Sequence, residues 1–349
     1  MNGGSGLKIV AIGGGTGLSA MLRGLKACTG NITAVVTVAD DGGGSGVLRS
    51  DLGMLPPGDI RNCILALCNT EPIMEKLLNY RFPEGSMAGQ SFGNLFIAAL
   101  TGVTGSFGTA VRRFSEVLAI TGRVLPVTEE DVRLEAEFEN GARVTGESKI
   151  FAFKREQKCA IKRVSLTPER PTAHPEVLRA IEDADLITLG PGSLYTSVIP
   201  NLLVGGVTEA LTASRALKVY ICNLMTQEGE TEGYTAHDHV RALLLHSAPG
   251  VADICLTSDT PIPRGELARY AAESAAATRV DEELFSREGI GLRRADLASV
   301  KGGVVRHDPR RLALALYGII RAERPRGGHL DISDEATMRW LQERIGEEA

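Results

Sequence analysis

Lys8-Ile9-Val10-Ala11-Ile12-Gly13-Gly14-Gly15-Thr16-Gly17-Leu18 is the stretch that decides the fold. A short apolar run breaks into glycines, the pattern of a strand buried on both faces that ends in a tight turn. From Leu18 to Cys28 apolar residues recur at helical spacing, at Leu18, Met21, Leu22 and Leu25. A second run, Ile32 to Ala39, stops at Asp40-Asp41-Gly42-Gly43-Gly44-Ser45-Gly46. Two parallel strands joined by a helix of this length make a βαβ unit, normally right-handed. The glycines let backbone approach an anion, and the helix start offers free N–H groups and a positive dipole end. A tight structural turn is the plain alternative. The loop is not the dinucleotide fingerprint, because G-x-G-x-x-G counted from Gly13 would need glycine where Leu18 stands.

Outward from this unit, Ile60 to Cys68 resumes helical spacing and Phe92 to Leu125 reads as mostly helical. Between about 124 and 168 the pattern changes. Val132, Leu134, Ala136 and Phe138 alternate with charged residues, Asn140-Gly141 intervenes, and an extended run follows through Val144. Asn-Gly between alternating runs signals a hairpin in which both turn residues take φ > 0. This predicts a small antiparallel insert with one wet face, suited to a lid or an oligomer contact. α/β character then returns: a helix over 174–182, strands over 185–189, 218–223 and 251–256, and a helix over 237–246. The expected architecture is a Rossmann-like three-layer α/β domain over 7–322, a parallel sheet with helices on both faces plus the β-hairpin insert. A polar helix over 331–349 follows.

Composition narrows the function. The 349 residues carry Lys+Arg 38 against Asp+Glu 43, a net charge of −5, which argues against a global nucleic-acid footprint. Aromatic residues at 5% leave few platforms for stacking bases or flavins. The six cysteines form no C-x-x-C pair and lie in apolar stretches, as buried thiols of a reducing compartment do. With no signal-like N-terminus and no apolar run of membrane-spanning length, a cytoplasmic protein is expected.

Several further loops could carry chemistry. In an open parallel sheet the strand C-termini line the ligand crevice, so Asp40 and Asp41, with Gly42 and Gly43, are expected near the first glycine loop. One acid would reach a ligand, as a ribose acceptor or beside a divalent cation such as Mg²⁺, while the other bonds its own loop. Pro57-Gly58-Asp59-Ile60-Arg61-Asn62 places Asp59 as an N-cap. Arg61 and Asn62 in the first turn suit an anionic ligand, since a cation is otherwise disfavoured at that dipole end. Ser91-Phe92-Gly93-Asn94 is a similar junction, with Asn94 a candidate contact. Gly190-Pro191-Gly192-Ser193-Leu194-Tyr195-Thr196-Ser197 follows another strand and forms a second anion-binding corner. Asn223 and Thr226 belong to a polar crevice loop over 223–231. The six histidines do not cluster, and His237 and His239 fall on different helix faces, which disfavours a metal centre or a histidine triad.

Taken together and in this order, these motifs, with Arg306-His307-Asp308, resemble the YvcK-like gluconeogenesis factor family. Its wider superfamily includes the 2-phospho-L-lactate transferase of coenzyme F420 biosynthesis (CofD), and the resemblance runs from about 7 to about 322. It implies a cytoplasmic, Rossmann-like protein that binds nucleotide sugars such as UDP-GlcNAc and supports cell shape and cell-wall synthesis during gluconeogenic growth. It places uridine-sugar contacts at Tyr270 and Arg306, and the transferase's substrate-contacting acid at Asp59, the one catalytic candidate. Cell-wall synthesis proteins and a second copy of the chain are the partners it suggests. One departure stands out: where the transferases carry bulky residues after the acidic pair, this chain has Gly42-Gly43-Gly44. That favours binding without turnover, with a metal-assisted phosphoryl-type transferase as the alternative.

Overall fold

The computed structural model describes residues 6–69 and 71–323. Among them, seven strands form one parallel sheet: β1 (Ile9–Gly13), β2 (Ile32–Val36) and β3 (Arg123–Pro126), then, after an insert of β4 (Arg133–Phe138), β5 (Arg143–Thr145) and β6 (Ile161–Thr167), the strands β7 (Leu186–Leu189), β8 (Leu217–Ile221), β9 (Ile254–Ser258) and β10 (Gly291–Ala295). β11 (Ala298–Lys301) and β12 (Val304–His307) make a separate antiparallel ribbon. The sheet order is β10-β9-β8-β7-β1-β2-β3. β1, β2 and β7 are buried along their whole lengths, which explains their unbroken apolar sequences. The chain builds outward from β1 in one direction, then returns to its other side at β7. That reversal is a topological switch point, and ligands of such sheets bind outside the strand C-termini there.

The helices up to the insert are α1 (Gly15–Leu25), α2 (Gly43–Leu52), α3 (Gly58–Leu67), α4 (Pro72–Asn79), α5 (Phe92–Thr104), α6 (Phe107–Val117) and, inside it, α7 (Glu147–Gln157). α1 begins within the glycine run, three residues before Leu18. Its N-cap Gly14 supplies no side chain, and the Gly15 N–H donates instead to Asp59 Oδ2 at 2.7 Å. Asp59 therefore caps a helix, but not its own: it lies in the first turn of α3, whose N-cap is Pro57. α1 packs between α3 and the helix Pro309–Glu323. No single helix among the described residues is long and apolar enough to cross a membrane.

The insert departs from expectation in three ways. It starts after β3, which belongs to the main sheet and not to the insert. β4 pairs antiparallel with β5 as predicted, yet only Gly141 takes a positive φ, +83°. The Gly141 N–H donates to the Phe138 carbonyl, and Asn140 Oδ1 accepts from the Ala142 N–H, so the Asn side chain supports a turn with a single left-handed residue. β6 adds a third strand on the other edge of β4, and α7 fills the connection between β5 and β6. The helix expected over 331–349 lies outside the described residues.

Candidate functional site

The two glycine corners meet at the switch point. Gly14 and Gly17 approach the 190–197 segment so closely that a Cβ on Gly17 would lie 2.9 Å from the Pro191 carbonyl oxygen, and one on Gly192 3.1 Å from that of Gly14. Gly15 needs its glycine for another reason, a left-handed φ of +66°. Asn201 locks the arrangement from beneath, donating Nδ2 to the carbonyls of Gly13 and Ser197. Above the corners opens a crevice of about 310 Å³. Gly15, Thr16 and Gly17 line it from one side, Gly192, Ser193 and Ser197 from the other, and Asn223, Thr226, Tyr270 and Arg306 close the far end.

At that far end, the Tyr270 hydroxyl accepts from the Val305 N–H at 3.1 Å, tying the helix Arg264–Ala272 to β12. Arg306 is exposed, while Asp308 turns away to accept from the N–H groups of Arg310 and Arg311. His307 between them is buried and bonded to the Cys222 backbone, with Nε2 unpartnered among the described residues. Burial pushes its pKa down to about 4, so at neutral pH it is an uncharged acceptor beside a guanidinium.

Across the 194–198 turn lies a second cavity, of about 270 Å³, whose lining includes Asp40, Gly42, Glu147, Phe151, Thr196, Gln227 and Glu230. Gln227 lines both spaces, its Oε1 accepting from Ser193 Oγ at 2.8 Å. Glu230 is 3% exposed; its Oε1 accepts from the N–H groups of Tyr195 at 2.9 Å and Thr196 at 3.1 Å. Burial raises its pKa to about 7 against the pull of those donors. Behind the corner, burial and then the charge of Asp40 raise Asp59 to about 6. Glu147 is pushed well above the usual carboxylate range by burial, with Asp40 and Asp59 adding to the shift. Asp40, raised chiefly by burial, accepts from the Gly42 N–H at 2.7 Å, so it both bonds its loop and faces the cavity.

Other predicted contacts lie elsewhere. Asp41 turns to the insert, where Oδ1 accepts from the Ser148 N–H at the start of α7. Gly43 begins α2 with a φ of +48°, and Gly13 and Gly190 sit beneath the corners. Arg61 is buried because its guanidinium donates to Ser91, the N-cap of α5, and to Asn62 Oδ1, which answers the dipole objection without an anion. Asn94 takes its backbone cap from the same Ser91. The Tyr195 side chain points into the core, bonded to the Tyr234 hydroxyl at 2.8 Å, and it is this residue's backbone that serves Glu230. Glu147, Phe151, Gln227, Glu230 and His307 were not among the sequence candidates. Gln227 and Glu230 stand in the polar loop after β8, but its polarity alone cannot say which side chains turn inward.

Known proteins match this chain closely. The family described as 2-phospho-L-lactate transferase CofD covers residues 9–298. A protein named gluconeogenesis factor from Bacillus subtilis is 47% identical over 315 residues, 90% of this chain and 98% of that protein. Its namesake from Halalkalibacterium halodurans is 46% identical over 309 residues, 88% of this chain and 95% of its own. An X-ray crystal structure of a Bacillus halodurans protein superimposes with a TM-score of 0.86 at 46% identity, over 89% of this chain and 99% of that one. Matches of this depth across the sheet and both corners mean that the chain belongs to the gluconeogenesis factor family of CofD-like proteins.

Proposed function

We propose that this protein binds a nucleotide sugar of the UDP-GlcNAc class in the switch-point crevice. It acts in the cytoplasm as a regulator of cell shape and cell-wall synthesis during gluconeogenic growth. The observation that carries the reading is the meeting of two glycine corners at strand C-termini, with Arg306 exposed across the crevice. Backbone N–H groups at such corners suit a diphosphate, and a guanidinium adds charge-assisted hydrogen bonds to it. Tyr270 offers an edge or face to the uracil ring while its hydroxyl is held by Val305. Calorimetric titration of UDP-GlcNAc tests this. Arg306→Ala should weaken binding by about 1.5–3 kcal/mol, the scale of a hydrogen bond to a charged group. Its stability should change by less than about 0.5 kcal/mol, since the residue is exposed. Equal affinity in wild type and variant removes Arg306 from the site.

One observation favours a second reading, a phosphoryl-type transferase. Asp59 and Asp40 are mutually destabilised acids beside the glycine corner, and Mg²⁺ is commonly held by one or two carboxylates together with substrate phosphates. Among the described residues no three His, Cys, Asp or Glu side chains gather as metal ligands, so these two would be its protein ligands. There the ion would neutralise phosphate charge. Release of free nucleotide on incubation with UDP-GlcNAc or GTP and Mg²⁺, lost in Asp59→Asn, would favour this reading; unchanged ligand favours binding alone.

A further inference from the structure

The cavity under α7 has no role in holding a diphosphate, because its polar lining is acidic. Asp40, Glu147 and Glu230 would repel phosphates, which leaves those groups in the glycine crevice next door. Glu230 Oε2 is buried and unpartnered among the described residues, in a position where a buried polar atom normally has a hydrogen bond. A donor from a ligand would supply it. Phe151 adds an apolar face: it is 38% exposed despite its size, and it packs against Gly229, a left-handed residue with φ +78°. Carboxyls and the Gln227 amide accept from hydroxyls, while an aromatic face covers ring C–H groups. Among the described residues no three acids gather as metal ligands, so a compact ion cannot engage them together, whereas hydroxyls spaced around a ring can.

We propose that this cavity is the sugar subsite, with Phe151 and Glu147 of α7 and Glu230 of the sheet-edge loop recognising the hexose. The inference rests on the nucleotide-sugar reading of the crevice. Continuity supports it, because Gln227 lines both cavities, and neighbouring residues of one turn, Thr196 and Ser197, face the second and the first respectively. A ligand with its diphosphate at the glycine corners needs only to pass Gln227 to place its sugar among the carboxyls. The antiparallel insert then determines which sugar is accepted.

The experiment titrates UDP and UDP-GlcNAc separately into wild type, Phe151→Ala and Glu147→Ala. Wild type should bind both, the sugar nucleotide more tightly. Each variant should keep UDP affinity within about twofold, which also reports an intact fold, and lose about tenfold or more for UDP-GlcNAc, the scale of one charged hydrogen bond. Variants that lose UDP and UDP-GlcNAc affinity in parallel, or neither, overturn the subsite. Failure of wild type to bind UDP at all overturns the nucleotide reading and takes this inference with it.

Discussion

Glu230 holds its raised pKa at the cost of a charge kept from water, and that makes the protein's stability depend on pH. Its folded-state pKa is about 7, above the ordinary 4.5, chiefly because it is buried. A group raised in this way is protonated in the folded chain over a range where the unfolded chain has already released the proton. Its contribution is therefore full below pH 4.5 and is lost as pH rises through 7. Glu230→Gln stays neutral throughout, and its amide oxygen can still accept from the Tyr195 and Thr196 N–H groups. Urea unfolding should find wild type and variant similar near pH 4.5, with the variant gaining on the order of 2–3 kcal/mol relative to wild type by pH 8. Asp59 and Glu147 are raised as well, so some slope should survive in the variant. Parallel stability curves from pH 4.5 to 8 would show that Glu230 does not titrate in this window.

Between elements, the tightest approach is α1 on the helix Pro309–Glu323. A Cβ at Gly24 would overlap the Pro309 carbonyl, a backbone atom that cannot swing aside. Gly24→Ala should therefore force the helices apart and cost about 1–3 kcal/mol or more, although alanine is the better helix former. Gly102 in α5 is the contrast, since a Cβ there meets nothing within 4 Å. Gly102→Ala should stabilise by about 0.4–1 kcal/mol through the unfolded chain alone. Denaturation midpoints of the two variants moving in opposite directions would bear this out, and a neutral Gly24→Ala would contradict it. The same scale shows why the first βαβ unit was legible and α7 was not. β1, α1 and β2 carry their periodicity within a few residues, and full burial leaves the strands uniformly apolar. α7 buries only Ile150 and Lys154, and Lys154 is held there by an ion pair with Glu232 far along the chain. A helix stabilised in that way has no apolar stripe to read.

At the scale of the whole molecule, the glycine corners could be read from sequence, whereas their meeting could not, because strand order is set by long-range pairing of β1 with both β2 and β7. Asp41 shows the same limit. Its spacing beside Asp40 marks it as a crevice acid, but the insert folds back and offers the first turn of α7, a local donor-rich and positive end, to its carboxylate. Gly146 admits that contact, since a Cβ there would meet Asp41 Oδ2 at 2.5 Å. Asp41 thus joins the end of β2 to the helix that carries Glu147 and Phe151. Removing its carboxylate should loosen α7 over the second cavity while leaving the glycine crevice intact. Asp41→Ala should cost about 0.5–2 kcal/mol of stability, as loss of a helix cap does. If α7 holds the sugar, UDP-GlcNAc affinity should fall several-fold, within the roughly 1 kcal/mol expected for a misplaced contact, and UDP affinity should not. Asp41→Asn, which retains an acceptor oxygen for the Ser148 N–H, should recover most of the loss. Should Asp41→Ala instead weaken UDP as much as UDP-GlcNAc, Asp41 would be serving the nucleotide end directly, as its place in the sequence first suggested.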